Sequence, residues 1–240
     1  MAAPTDAPAP PAAPTWGLGD ALGGWALAYL VAAVSSAVIV SLAGYAPDDD
    51  LPLWLVALTY PPLWLGFVGI PVWAAATKGN GWVQDFGGRI RPVDVPVGLV
   101  VGFLAQVIVV PLVSWPFLEL SGKTTEDLSE SARELADKAT GPWGPLLFFV
   151  IVGLLAPVAE ELFFRGLVLR SFERRIGTWW ALAASSTWFA ATHLQPLQFP
   201  ALLAAGAIFG YLAIRTGRLG PAVVAHMAFN TTTVVVLLWL

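Results

Sequence analysis

Seven stretches of this chain, at about 18–43, 51–76, 93–117, 143–169, 178–194, 197–214 and 219–240, are almost wholly apolar. A run of about 18 or more such residues can cross the roughly 30 Å hydrocarbon core of a bilayer as a helix. A helix is also one of the few structures that can do so, because it satisfies its own backbone hydrogen bonds where no water is present. The chain is therefore read as all-α, a polytopic transmembrane helical bundle of about seven spans. Its composition agrees: 57% of residues are hydrophobic and only 12% charged, where soluble domains carry about 25% charged residues. The net charge of −4 gives no basic footprint for nucleic acid. With no cysteine in the sequence, disulfides, thiolate nucleophiles and sulfur-bound metals are excluded.

The segments between the spans set the organisation. Residues 1–15 are mostly Ala and Pro with no lysine or arginine. They lack the basic start and short apolar core of a secretory signal and are expected to be a disordered tail. Residues 16–76 hold two N-terminal transmembrane helices, the second kinked at Pro61-Pro62. Residues 77–240 form the remaining core. Within it, 119–143 is the one long polar segment. Thr124 followed by Asp127 predicts a helix start, and Leu128, Ala132, Leu135 and Ala139 recur at helical spacing. Two placements stay open for this helix: lying on the membrane surface, or serving as a solvated connector.

Charge sets the orientation. With seven spans, loops 77–92, 170–177 and 215–218 share one side with the N-terminus, and they hold 8 of the 12 Lys and Arg residues. The other side has Lys123, Arg133 and Lys138. The positive-inside rule then places the N-terminus in the cytoplasm and the C-terminus outside. The protein is expected in a membrane, a bacterial cell membrane being the expected one, with the lipid bilayer as its surroundings.

Against this apolar background, Glu160, Glu161 and Arg165 stand out. Charged groups at mid-membrane cost on the order of 3 kcal/mol each, and they normally face a bundle interior or a wet cavity where they find partners. Glu161 and Arg165 are four residues apart and share a helix face, so they can pair. Neighbouring helix positions diverge by about 100°, which leaves Glu160 to point elsewhere. The two histidines, His193 and His226, also lie in or at the edges of spans. His226 and Asn230 share one face of the last span. At about 1.5 Å per residue, Glu160 lies roughly 15 Å from Arg170, and His226 and Asn230 roughly 9 and 15 Å from Gly220, whereas His193 is about 20 Å from Trp179. These depths suggest convergence in the cytoplasmic half. Phe189, four residues before His193, is expected to pack and orient the ring. Gly206 and Gly210 predict close helix packing within the monomer, and the tryptophans, Trp54, Trp179 and Trp180 among them, are expected to be interface anchors.

Glu160-Glu161-x-x-x-Arg165, Phe189-x-x-x-His193 and His226-x-x-x-Asn230, in order on separate spans, resemble the three signature motifs of the CAAX prenyl protease and bacteriocin-processing (CPBP, or Abi) intramembrane endopeptidases. The resemblance covers about 75–240. It implies a hydrolase in which Glu160 and His193 activate the attacking water, while His226 and Asn230 stabilise the oxyanion. Glu161, Arg165 and Phe189 would support them. The expected substrate is a peptide or protein at the membrane, lipidated substrates included, cut near the cytoplasmic face. No cofactor is favoured. In the alternative, zinc is held by Glu160, His193, His226 and Asn230 with Glu161 as base. Two other classes are a non-catalytic immunity protein of the same fold and a proton-coupled transporter. Against the transporter, no matched pair of broken spans is present.

Overall fold

The computed structural model describes residues 13–46 and 48–239. Most of the expected tail, 1–12, lies outside the described residues. Residues 13–15 do not run free: the Thr15 N–H donates to the Lys78 carbonyl at 2.6 Å, and Arg174 donates to the carbonyls of Pro14 and Trp16. Among the described residues there are nine helices: α1 (Leu18–Leu42), α2 (Leu53–Lys78), α3 (Trp82–Phe86), α4 (Asp94–Ser121), α5 (Thr125–Asp137), α6 (Gly144–Ile176), α7 (Thr178–Thr192), α8 (Phe199–Thr216) and α9 (Gly220–Trp239).

Six of these, α1, α2, α4, α6, α8 and α9, are long and apolar enough to cross a membrane. The fifth expected span corresponds to α7, and here the expectation needs correcting. Its 15 residues reach about 22 Å, short of the roughly 30 Å core. The helix ends because Leu194 adopts a left-handed φ of 53° and Pro196 follows two residues later. His193 caps α7 at this stop, still about 20 Å along the helix from Trp179, which places it toward the far end of the bundle. The kink in α2 falls at Tyr60, immediately before Pro61 opens the second stretch.

Small residues set how closely the helices approach. Gly206 of α8 lies against Ser186 and Phe189 of α7, and a Cβ there would come within 3.2 Å of both. Gly210 meets Leu182, so the Gly-x-x-x-Gly serves packing within the chain, as expected. A second glycine pair carries as much weight for the site. Gly98 and Gly102 of α4 face α9, and a Cβ on Gly102 would sit 2.0 Å from the Ala225 carbonyl oxygen. The neighbour of Ala225 is His226. The main apolar core joins α1, α2, α3 and α6; within it Phe67 stacks on Phe163 with centroids 4.5 Å apart, and Phe164 meets Phe163 edge-on at 5.4 Å.

Helix α5 begins at the predicted cap. Thr124 accepts from the Asp127 N–H, and Asp127 in turn accepts from the Thr124 N–H at 2.7 Å. That backbone donor, with Lys123 beside it, holds the Asp127 carboxyl below its usual value. The cap therefore adds stability above the ordinary carboxylate range and loses it as pH falls through the lowered one. Its apolar edge packs on the protein. Ala136 and Leu135 pack into a cluster with Leu53, Phe148 and Val234, and Gln198 donates to the Leu128 carbonyl at 2.8 Å. The helix is a cover on the bundle.

Replacing Gly102 with alanine should push α9 off α4. Because the obstacle is backbone rather than a side chain, relaxation is limited, and a loss of about 1–3 kcal/mol is expected. Thermal unfolding of the purified protein in detergent would show a lowered midpoint. An unchanged midpoint would mean that α9 can shift freely.

Candidate active site

Helix α6 carries the charged motif, and its backbone is not regular. Two stretches, Phe149–Leu155 and Leu162–Val168, are π-helical and flank Ala156–Glu161. In the first of them the Ala156 N–H reaches back five residues to the Ile151 carbonyl. The next donor in that register would be residue 157, a proline with no N–H. The Val152 carbonyl is thus left without its helical partner, and Asn230 Nδ2 donates to it at 2.9 Å. A local consequence of Pro157 therefore fixes the orientation of a side chain on α9. Insertions of this kind are frequent near functional sites.

Glu161 is fully buried, with Arg165 beside it at 1% exposure. Arg165 Nη1 lies 2.9 Å from Glu161 Oε1, the pair that the four-residue spacing predicts. Arg165 also donates from Nη2 to the Gly206 carbonyl at 3.1 Å, and its guanidinium lies over the ring of Phe189, 4.3 Å from the centroid. Such a cation is costly to bury. A carboxylate, a carbonyl and an aromatic face together offset that cost.

The third partner carries no signal in the sequence. Glu161 Oε1 is 2.8 Å from His226 Nδ1. A carboxylate only accepts, so Nδ1 carries the proton. The ring is stacked on Phe209, with centroids 4.8 Å apart at 23°, and meets Phe189 edge-on. This leaves His226 Nε2 facing Glu160, 3.9 Å from Oε2. His193 is fixed by the same logic. Its Nδ1 lies 2.8 Å from the Phe189 carbonyl, which can only accept, so the proton is on Nδ1 and Nε2 is bare. Phe189 thus positions both histidines, one by its carbonyl and one by its ring.

One cavity of about 320 Å³ gathers these groups. Glu160, His193, His226 and Asn230 line it, with Phe189. Glu161 and Arg165 stand behind the wall. The other walls are apolar, among them Trp64, Phe148, Leu202 and Phe209, and Ser131, Ala132 and Leu135 of α5 form part of the boundary. His226 lies in the half of α9 nearer the basic loops, with Asn230 at its midpoint, as expected. Glu160 lies midway along α6, and from there the cavity extends toward the α5 end. The depth count along α7 had pointed this way for His193.

Among the described residues no three His, Asp or Glu groups gather as one ion would require. Asn230 also directs its amide nitrogen to a backbone carbonyl, whereas a metal would need its oxygen turned inward.

The cavity joins a carboxylate to two imidazoles with bare Nε2 atoms and an amide, in a largely apolar enclosure. That donor set suits proton transfer to and from water and hydrogen bonding to a developing negative charge. Residues 142–232, from the end of the α5–α6 link to the middle of α9, match the family model described as Rce1-like, type II CAAX prenyl endopeptidase. No curated protein and no solved structure matches the chain. The matched segment contains all three charged and polar motifs, so that over these residues this membrane protein is similar to the Rce1-like family of CAAX-type endopeptidases.

Proposed function

We propose that this protein is an intramembrane endopeptidase in which Glu160 and His193 activate water, while His226 and Asn230 hold the oxyanion. One observation carries the reading: all four side chains line a single cavity, two of them held by buried partners that touch no solvent. A water between Glu160 and the bare His193 Nε2 gives up a proton to this pair. Its oxygen then bonds to the scissile carbonyl carbon, and the carbonyl electrons move onto oxygen. Asn230 keeps a second amide N–H beyond the one given to Val152, and that N–H is free to meet the oxyanion. His226 faces the same cavity through Nε2, which meets the oxyanion when that nitrogen carries a proton. Collapse of the intermediate breaks the C–N bond as the stored proton passes to the departing amine. The low dielectric of the apolar walls strengthens each of these contacts.

The two adjacent carboxylates should respond differently to the same change. Glu160→Gln keeps size and hydrogen bonding but removes the base, so turnover should be lost with the fold intact. Glu161→Gln leaves Arg165 buried without its counter-charge, and a loss of about 3–5 kcal/mol is expected. Its amide oxygen can still accept from His226 Nδ1, so whatever folds should keep partial activity. Melting curves and single-turnover cleavage on both variants test this. An active Glu160→Gln, or an inactive but fully stable Glu161→Gln, would reverse the assignment.

Asn230→Ala should slow cleavage by about two to three orders of magnitude, the range seen on loss of one oxyanion donor. The same change leaves the Val152 carbonyl unpaired, so a drop in stability of roughly 1–3 kcal/mol should accompany it. A rate within a fewfold of the parent would remove Asn230 from the chemistry.

The donor set predicts that hydrolysis persists after prolonged treatment with strong chelators. Elemental analysis of the purified protein is the check. About one tightly held zinc per chain, with activity returning only when zinc is restored, would favour the metal-dependent reaction.

A further inference from the structure

We infer that Phe209, which belongs to none of the three motifs, is a positioning residue: its ring holds the His226 imidazole in the plane from which Nε2 faces the cavity. The kinetic consequence rests on the endopeptidase reading above. The effect on the imidazole itself does not.

One hydrogen bond does not fix a histidine ring, because the torsion about Cβ–Cγ has a broad, roughly two-fold well. The bond from Nδ1 to Glu161 Oε1, 2.8 Å long, holds one atom and leaves the plane free to tilt about that contact. Nε2 lies across the ring from the held atom, so it is carried along by any such tilt. Little restrains it directly. Glu160 Oε2 stands 3.9 Å away, beyond hydrogen-bond reach.

Phe209 supplies the missing restraint. Its ring lies face to face with the imidazole, with centroids 4.8 Å apart and planes 23° from parallel. Phe189 meets the same imidazole edge-on, at 5.8 Å and 83°. A tilt would drive imidazole atoms into the Phe209 face on one side and open a gap on the other. In a close-packed interior both are unfavourable, since the atoms lining a small void simply lose their contacts.

Phe209 can act this way because it is itself held. It is 0% exposed, in a niche made by Ala205 and Ala213, one turn to either side on α8, and by Ala222 and Ala225 of α9. These methyl-sized side chains let the two helices close around the ring. Phe229 of α9 meets it at 5.8 Å and 84°. His226 and Phe229 are three residues apart and share a helix face, so α9 contacts the Phe209 ring with two of its own. The same ring also lies 5.6 Å from the Arg165 guanidinium, the group already paired with Glu161. Phe209 thus stands where the buried ion pair and the cavity meet. Packing alone would be served by any apolar side chain of similar size, whereas positioning needs a flat face.

With only two histidines in the chain, His226 can be observed by itself. The full chain carrying His193→Asn is labelled with nitrogen isotope at histidine and purified in detergent through a histidine-free tag. Nitrogen NMR spectra on the high-pH plateau, where the ring is neutral, read its tautomer. With Phe209 in place, the expected result is a protonated Nδ1 and a bare Nε2, with Overhauser contacts between the His226 and Phe209 ring protons. Phe209→Leu keeps most of the volume, so the melting midpoint should stay within roughly 5 °C. The two nitrogen shifts should nonetheless move toward each other as the tautomers exchange.

In the chain with both histidines, Phe209→Leu should lower kcat by about 10- to 100-fold, the scale of loss for a misaimed group, with KM changed by less than about twofold. The probe is a farnesylated CAAX peptide carrying a quenched fluorophore. Phe209→Met takes the place of the leucine variant if that one does not fold. Nitrogen shifts unchanged in a folded variant would overturn the inference, as would an undiminished kcat. So would a mixed tautomer or a missing Phe209 contact with Phe209 in place, a result that needs no variant of Phe209 to fold. Absence of cleavage by the parent would count against the endopeptidase reading, and the spectra would still decide the role of Phe209.

Discussion

The bundle depends on how it keeps one guanidinium in its interior. Arg165 is buried among aromatic rings, and an unpaired charge there would cost several kcal/mol. It is held by Glu161 along its own helix, by the Gly206 carbonyl across from it and by the face of Phe189. The last two contacts tie α6 to α8 and to α7. Glu161 then extends the chain of contacts to His226 on α9. The sequence Arg165–Glu161–His226 is therefore both the internal brace of the fold and the means by which a ring in the cavity is held in one tautomer.

Close approach is the condition for this brace. The Gly206 carbonyl is within reach of Arg165 because α8 packs on α7 without a side chain between them. His226 is within reach of Glu161 because α9 lies against Gly98 and Gly102 of α4. Pro157 acts in the same direction by freeing the Val152 carbonyl for Asn230. Backbone irregularity and small residues, which weaken an isolated helix, here bring functional groups from α6, α7 and α9 into one cavity of about 320 Å³.

Helix α5 connects this interior to the outside. The acidic outer face of this short amphipathic helix suits water, and its Leu135 edge belongs to the apolar cluster. Covering the cavity keeps bulk water from the polar groups, which raises the strength of their interactions. Gln198 holds the cover to the link between α7 and α8 by one hydrogen bond to a backbone carbonyl. The shortness of α7 completes the arrangement. Had that helix run a further two turns, His193 would be a helix-interior residue, and the link that carries Gln195 and Gln198 would lie beyond the cavity.

Much of this was legible in the sequence, because its causes are local. Apolar run length fixes where spans lie, and the four-residue spacing puts Glu161 beside Arg165 and His226 near Asn230 on shared faces. The Thr124–Asp127 cap and the break before Pro61 are one-turn effects that need no tertiary partner. What the sequence could not supply is every contact that joins residues far apart in the chain. The bond from Glu161 to His226 spans 65 positions and that from Asn230 to Val152 spans 78. No periodicity encodes either. The same holds for the cover on the cavity. Counting residues along each helix gives depth, and only the contacts of Leu135 and Gln198 place α5 over the polar groups. The chain alone determined which groups are too costly to leave unpartnered in a membrane, and the packing of the helices decided which partners they found.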